Sequence, residues 1–155
     1  MDHDEEAGDS LLATGFTVGS TYFGVDARFV QEVTKPGELT PVRDAPPGVV
    51  GIRNLRGRIV TVVDLAVQLD LGRVEESEHA RLLIMENQGE TYGFLVDSVT
   101  DTVSLDVGRI ERTPANLDPA LRGRLNGVWR EPDRIMALLD PDALFDWNDE
   151  STDRG

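Results

Sequence analysis

Two stretches of the chain repeat one another at a fixed offset. Gly51-Ile52 is followed, seven residues after the glycine, by Arg58-Ile59-Val60-Thr61-Val62-Val63-Asp64. Gly127-Val128 is followed, at the same seven, by Arg134-Ile135-Met136-Ala137-Leu138-Leu139-Asp140. The copies stand 76 residues apart. A looser echo precedes each: Thr21-Tyr22 leads to Gly24 and Val25-Asp26, and Thr91-Tyr92 leads to Gly93 and Val96-Asp97. Two copies are too few for a solenoid, whose units must stack to bury their faces. They fit two similar small β units packed together.

The rest of the chain is patterned in the same style. Residues 11–18 and 22–25 flank a Gly19-Ser20 turn, and 49–54 and 58–63 flank Leu55-Arg56-Gly57. Residues 81–85 and 91–96 flank Asn87-Gln88-Gly89, and 128–129 and 134–139 flank Glu131-Pro132-Asp133. Paired apolar or β-branched runs around such turns are hairpin signals. Residues 29–34 and 99–103 read as further strands. Short helices are expected over 64–69 behind an Asp64 cap, over 118–125 behind Asp118 with Pro119 at its first position, and over 142–147. Short strands at this spacing predict small barrels rather than a helical bundle or a parallel sheet. The charged connector 72–78 is the best internal boundary. It divides a single domain, 11–145, into halves of roughly 11–72 and 79–145.

Charge narrows the partners. The chain has 29 Asp+Glu against 15 Lys+Arg, a net charge of −14 over 155 residues. Its single lysine is Lys35, and no basic run exists. A phosphate backbone needs clustered cations, so nucleic acid is excluded. An anionic membrane surface repels such a chain, and no apolar run is long enough to insert. Residues 1–10 hold five acids and no base, and 146–155 hold four acids against Arg154. These ends carry eight of the fourteen net charges and read as acidic tails, the first of them disordered. The absence of cysteine excludes disulfides and thiolate chemistry and is compatible with a reducing cytoplasm. No signal peptide is visible.

Catalytic signals are poor. His3 lies in the acidic tail and His79 in the connector, each without a partner at triad or ligand spacing. No phosphate loop, dinucleotide fingerprint, zincin or nucleophile-elbow pattern occurs. Catalytic residues, metal and cofactor are therefore all expected to be absent. Carboxylates are abundant, and two held close would have one pKa raised for acid–base work. Yet Asp26, Asp97, Asp64 and Asp140 each follow a strand and are placed to accept turn N–H groups. A hydrolase built on Asp26, Asp64 and Asp97 is the enzymatic alternative. It requires those acids to converge in one pocket.

Residues 50–65 are the densest candidate site. Arg53, Arg56 and Arg58 crowd one predicted hairpin in an otherwise acidic chain. Arg56 sits at the tip before Gly57, which can take positive φ. Arginine's planar fork suits a carboxylate within the protein or on a partner. The plainer reading is an ordinary turn with solvated arginines.

The run Gly51-Ile52-Arg53-Asn54-Leu55-Arg56-Gly57-Arg58-Ile59-Val60-Thr61-Val62-Val63-Asp64-Leu65 closely resembles the G-x-x-N-L-R-G-x-I-V-x-V-V-D-L signature of CheW-like domains. The resemblance extends to Tyr22-Phe23-Gly24-Val25-Asp26, Val30-Gln31-Glu32-Val33, Pro41-Val42, Ala45-Pro46 and Val49-Val50-Gly51. It continues through Gly93-Phe94-Leu95-Val96-Asp97-Ser98-Val99 and Asp101-Thr102-Val103, so it covers about 11–145. It implies a mainly β fold of two packed five-stranded SH3-like β-barrels with a few short helices. It implies a non-enzymatic adaptor coupling the cytoplasmic tips of chemoreceptors to the regulatory domain of the histidine kinase CheA. Such a protein is cytoplasmic, monomeric in isolation, and joined to receptor arrays through its partners.

By motif position, the resemblance assigns receptor contacts to Val30, Glu32, Arg56, Val99 and Thr102, in a groove between the barrels. Glu32 and Arg56 would form an ion pair there. Thr102 departs from the family, which commonly has an apolar residue at that place. Kinase contacts would fall on Leu39, Val42 and Val49 of the first barrel. Gly51, Asn54, Leu55, Gly57 and Asp64 carry the turn signature. Two neighbouring readings remain: a CheW-like scaffold in a related non-chemotaxis chemosensory pathway, and a duplicated SH3-like module with an unrelated partner.

Overall fold

All four expected hairpins form, and their turns show why. In the computed structural model, which describes residues 9–145, the strands are β1 (Ser10–Val18), β2 (Thr21–Asp26), β3 (Glu32–Thr34), β4 (Val49–Leu55) and β5 (Arg58–Asp64). They continue as β6 (Arg81–Asn87), β7 (Glu90–Val96), β8 (Ser98–Asp106), β9 (Leu125–Arg130) and β10 (Ile135–Leu139). Arg56 and Gly57 link β4 to β5 with φ of 52° and 88°, and Gln88 and Gly89 link β6 to β7 with 53° and 83°. Two consecutive positive φ values give the turn whose twist matches that of the strands. The Asn54 side-chain oxygen accepts the Gly57 N–H at 2.8 Å and locks the first of these turns.

The helical pieces are shorter than the sequence suggests. Asp64 caps α1 (Leu65–Gln68), and Asp118 caps α2 (Pro119–Arg122), which stops early because Leu125 already opens β9. Pro141–Phe145 forms a 3-10 turn. The remainder of the helix expected over 142–147 lies outside the described residues. So do the acidic tails, apart from Asp9 and Ser10. Residues 29–34 are not one strand: the Asp26 carboxylate accepts the Arg28 N–H at 2.9 Å and winds Ala27–Phe29 into a 3-10 turn, so β3 begins only at Glu32.

The strands form two five-stranded sheets, ordered β8-β1-β2-β10-β9 and β3-β6-β7-β5-β4. The expected halves, 11–72 and 79–145, are not these two sheets. The first half gives the hairpin β1·β2 to one sheet and then crosses to supply β3, β4 and β5 to the other. The second half does the reverse with β6·β7 and then β8, β9 and β10. Each sheet is joined at a parallel pair, β10 with β2 and β5 with β7. A tight hairpin cannot make a parallel pair, so distant segments must meet there.

Register also corrects the repeat. Leu138 lies opposite Gly24, and its repeat partner Val62 lies opposite Gly93. Gly24 therefore corresponds to Gly93, and Phe23, not Tyr22, corresponds to Tyr92. A slip of one residue reverses the face of a strand. Tyr22 accordingly packs with Met136 and Leu138, while Phe23 and Tyr92 both enter the cluster between the sheets. By the same register Asp26 matches Leu95, so Asp26 and Asp97 are not equivalent.

Alternation along the central strands fills three apolar clusters. Ala13, Tyr22, Leu105, Met136 and Leu138 belong to the first sheet, and Leu55, Val60, Val62, Leu82 and Ile84 to the second. Phe16, Phe23, Leu83, Phe94 and Leu139 lie in the third, which joins the sheets. The repeated glycines have a common cause. Thr40 bridges to Ile52 and Glu111 to Val128. A Cβ on Gly51 would lie 2.7 Å from the Thr40 carbonyl oxygen, and one on Gly127 would lie 2.6 Å from that of Glu111. The repeated aspartates are caps. Asp64, only 3% exposed, accepts N–H groups of Ala66, Val67 and Val74 at 2.9, 3.3 and 3.0 Å. Asp140 accepts that of Asp142 at 3.0 Å.

Gly127→Ala should destabilise by about 2–4 kcal/mol, since its φ of 151° and the nearby carbonyl both oppose a methyl group. Gly19→Ala, at a positive φ but in open space, should cost about 1–2 kcal/mol. Asp64→Ala strands three N–H groups and should cost about 2–4 kcal/mol, with Asp64→Asn recovering part of it. Denaturant midpoints followed by circular dichroism check all of these.

Candidate partner-binding site

The arginine hairpin does two jobs with three residues. Arg53 donates to the Lys35 carbonyl, and its guanidinium lies 2.9 Å from where a Cβ on Gly37 would be, so it ties the segment after β3 to β4. Arg56 donates to the Glu32 carboxylate and pairs the hairpin tip with β3. Arg58 is exposed and makes no ion pair among the described residues. β3 and β4 are the two edges of the second sheet. Contacts between them, together with the Thr40–Ile52 bridge, require that sheet to roll round on itself. The pair is partly open: the Arg56 side chain is 65% exposed and that of Glu32 is 32% exposed. Its worth lies in aiming the hairpin tip more than in stability. Arg56 also holds a positive φ that a glycine would adopt more easily, a modest strain kept for the side chain.

Val30 and Val99 are both half-buried against the central cluster. Thr102 is exposed on β8, opposite Thr14 of β1, and belongs to the other sheet from the ion pair. It corresponds through register to Val33, which is also exposed. The fold therefore joins Glu32 to Arg56 and seats Val30 and Val99 on one cluster, while Thr102 stands apart from the pair. Leu39, Val42 and Val49 have different settings. Leu39 packs on the second sheet's cluster, Val49 on the central one, and only Val42 is exposed.

The acids proposed for hydrolysis are committed elsewhere. The Arg28 guanidinium bonds the Asp26 carboxylate and holds its pKa below the ordinary value, the wrong direction for a general acid. Asp64 is a cap, and Asp97 accepts the Gly19 N–H at 2.6 Å. Among the described residues, no group of three His, Cys, Asp or Glu is placed to hold a metal ion. No described helix is long and apolar enough to cross a membrane.

Sequence reasoning missed several surface features. Arg130 makes a two-pronged pair with Glu111, with both bonds at 3.0 Å. Arg134 lies 3.8 Å over the Tyr22 ring and bonds Glu131 at 2.9 Å. Burial pushes the Tyr22 hydroxyl pKa up. Phe29 and Val107 are 46% and 47% exposed. A signal for these two existed: each follows an aspartate, Asp26 or Asp106, that caps a short 3-10 turn and turns the apolar residue outward.

Comparisons with known proteins agree with this architecture. A family model described as a CheW-like domain matches residues 13–149. The chain is 29% identical over 141 residues to a chemotaxis protein CheW of Klebsiella aerogenes, covering 91% of this chain and 84% of that one. It is 29% identical over 143 residues to the CheW of Rhizobium meliloti, covering 92% and 91%. Protein PilI of Pseudomonas aeruginosa is 26% identical over 140 residues, covering 90% and 78%. The crystal structure of the scaffolding protein TtCheW from Thermoanaerobacter tengcongensis superposes with a TM-score of 0.78 at 27% identity, covering 87% of each chain. With a family match across nearly all of the described residues and a solved relative of the same fold, the chain belongs to the CheW-like domain family.

Proposed function

We propose that this protein, a chemotaxis-type coupling scaffold and not an enzyme, holds chemoreceptor cytoplasmic tips and the regulatory domain of a CheA-type kinase on separate surfaces. The observation that carries the receptor side is the Arg56–Glu32 pair at the tip of the signature hairpin. It fixes a cation in an acidic chain and leaves most of its side chain open to a partner. A helical receptor tip with an acidic residue and apolar neighbours would meet Arg56 and the ends of Val30 and Val99. Thr102 is a peripheral contact in this reading. The kinase side falls to Leu39, Val42 and Val49, in and before β4 of the second sheet, with Val42 the best exposed of the three. The scaffold works in the cytoplasm, recruited to receptor arrays through its partners, and is monomeric alone. Each contact is of modest strength and gains from the many copies in an array. A second output is open to the same scaffold, since PilI shows that relatives are not confined to proteins named for chemotaxis.

Arg56→Glu should lower affinity for a receptor cytoplasmic fragment by about tenfold or more, with an unchanged circular dichroism spectrum and a stability lowered only by the lost ion pair, about 1 kcal/mol. Unaltered binding in a sedimentation assay would remove Arg56 from the contact. A double-mutant cycle on Glu32 and Arg56 should give a coupling of about 0.5–1 kcal/mol in stability, the range of a partly exposed pair. A coupling indistinguishable from zero would dismiss the pair as an ordering device.

A further inference from the structure

β3 and β8 are counterparts, and each sets a carboxylate near a half-buried valine. Thr102 corresponds to Val33 through register, so one residue earlier Asp101 corresponds to Glu32, and three earlier Val99 corresponds to Val30. Glu32 is answered by Arg56 from the hairpin tip of its own sheet. In the first sheet the 76-residue offset places Pro132 where that arginine would be. Arg134, the cation of that tip, is engaged elsewhere: it bonds Glu131 at 2.9 Å and lies 3.8 Å over the Tyr22 ring. Asp101 is exposed and makes no ion pair among the described residues.

The backbone presents this carboxylate by an irregularity. Between the pairs Thr14–Thr102 and Phe16–Val99, β1 advances by two residues and β8 by three. β8 therefore bulges at Thr100 and Asp101, opposite Gly15. No such shift interrupts the pairing of β3 with β6. A bulge sets two successive residues against one and redirects their side chains. Thr100 takes the inward place: its hydroxyl is buried, and a Cβ on Gly15 would collide with it. The Tyr22 hydroxyl, also buried, closes the same space, 3.2 Å from that Cβ position. Asp101 is left exposed beside them.

We propose that Asp101 is a specificity-determining residue, which fixes the direction of a helical receptor tip between the sheets by pairing with a lysine or arginine of that tip. The inference rests on the receptor reading of Arg56. Val30 and Val99 alone would accept a helix in either direction, because they are equivalent positions of a repeated frame. Charge removes that degeneracy. The second sheet offers a guanidinium, Arg56, and the first offers a carboxylate, Asp101. A helix with an acid toward one end of its contact and a base toward the other makes both pairs in one direction. Reversed, it sets like charges together at both ends. Such pairs act on orientation and partner choice more than on raw affinity.

The test is calorimetric titration of the full chain with a receptor cytoplasmic fragment, and with fragments whose tip lysines and arginines are replaced by glutamate one at a time. Asp101→Asn should lower affinity for the unaltered fragment about threefold and Asp101→Lys about tenfold, with unchanged circular dichroism spectra. One glutamate fragment, weakened about tenfold against the unaltered chain, should regain most of that loss against Asp101→Lys and none against Arg56→Glu. Loss of affinity in Asp101→Lys that no glutamate fragment repairs overturns the proposal, because the aspartate would then act only through the strand. If Arg56→Glu weakens binding while both Asp101 variants bind as the unaltered chain does, this inference fails and the receptor reading stands. If Arg56→Glu also leaves binding unaltered, the receptor reading fails and this inference with it.

Discussion

The parallel pairings of β10 with β2 and β5 with β7 hold the architecture together. Each joins a hairpin from one half of the sequence to two strands of the other, while the third, β8 or β3, pairs antiparallel with the hairpin's far strand. Neither half can complete a sheet alone, so neither has its apolar cluster until both are present. The central cluster then adds residues from both sheets, including Phe16 and Phe23 from one and Leu83 and Phe94 from the other. A cut in the connector would divide the sequence but would not yield two folding units. The contacts are of long range, and such topologies pay loop-closure entropy early.

That exchange also builds the candidate site. Because the second sheet rolls until its edges β3 and β4 face each other, Glu32 and Arg56 meet although 24 residues separate them. The Arg53 bond to the Lys35 carbonyl and the Thr40–Ile52 bridge hold the same seam. The ion pair is the outermost contact of three along it. An exposed pair adds little to stability, but at a seam held by backbone bonds it need only orient a side chain. This is why a partly solvated arginine at a strained turn can still be a well-placed contact.

Much of this was legible in the residues. The hairpins were, because Gly19-Ser20, Arg56-Gly57 and Gln88-Gly89 sit between apolar runs and announce their turns. The aspartate caps were, because Asp64 and Asp118 precede helix-compatible residues. The ion pair came from resemblance, since no local rule links position 32 to position 56. What stayed hidden depended on sheet membership. A linear repeat cannot show that each unit shares its strands between two sheets. Nor can matching letters fix register: Tyr22 and Tyr92 look alike, but alternation sends them to opposite faces, and only the parallel partners Leu138 and Val62 reveal the shift. The apolar Phe29 was missed for a further reason, because it was taken into the strand expected over 29–34 although Asp26 before it signalled a capped turn.

A duplicated fold offers two copies of one surface, while a scaffold needs unlike surfaces for unlike partners. The symmetry must be broken where partners bind and kept where the core packs. Core positions keep it: Gly51 and Gly127 face the same kind of carbonyl, and Val62 and Leu138 face the same kind of glycine. The surface breaks it. At the hairpin tips the counterpart of Arg56 is Pro132, which has no charge to present. On the sheets, Val50 and Leu95 have Asn126 and Asp26 as counterparts. The repeat thus supplies a common frame, and the differing hairpin tips give its two faces different chemistry.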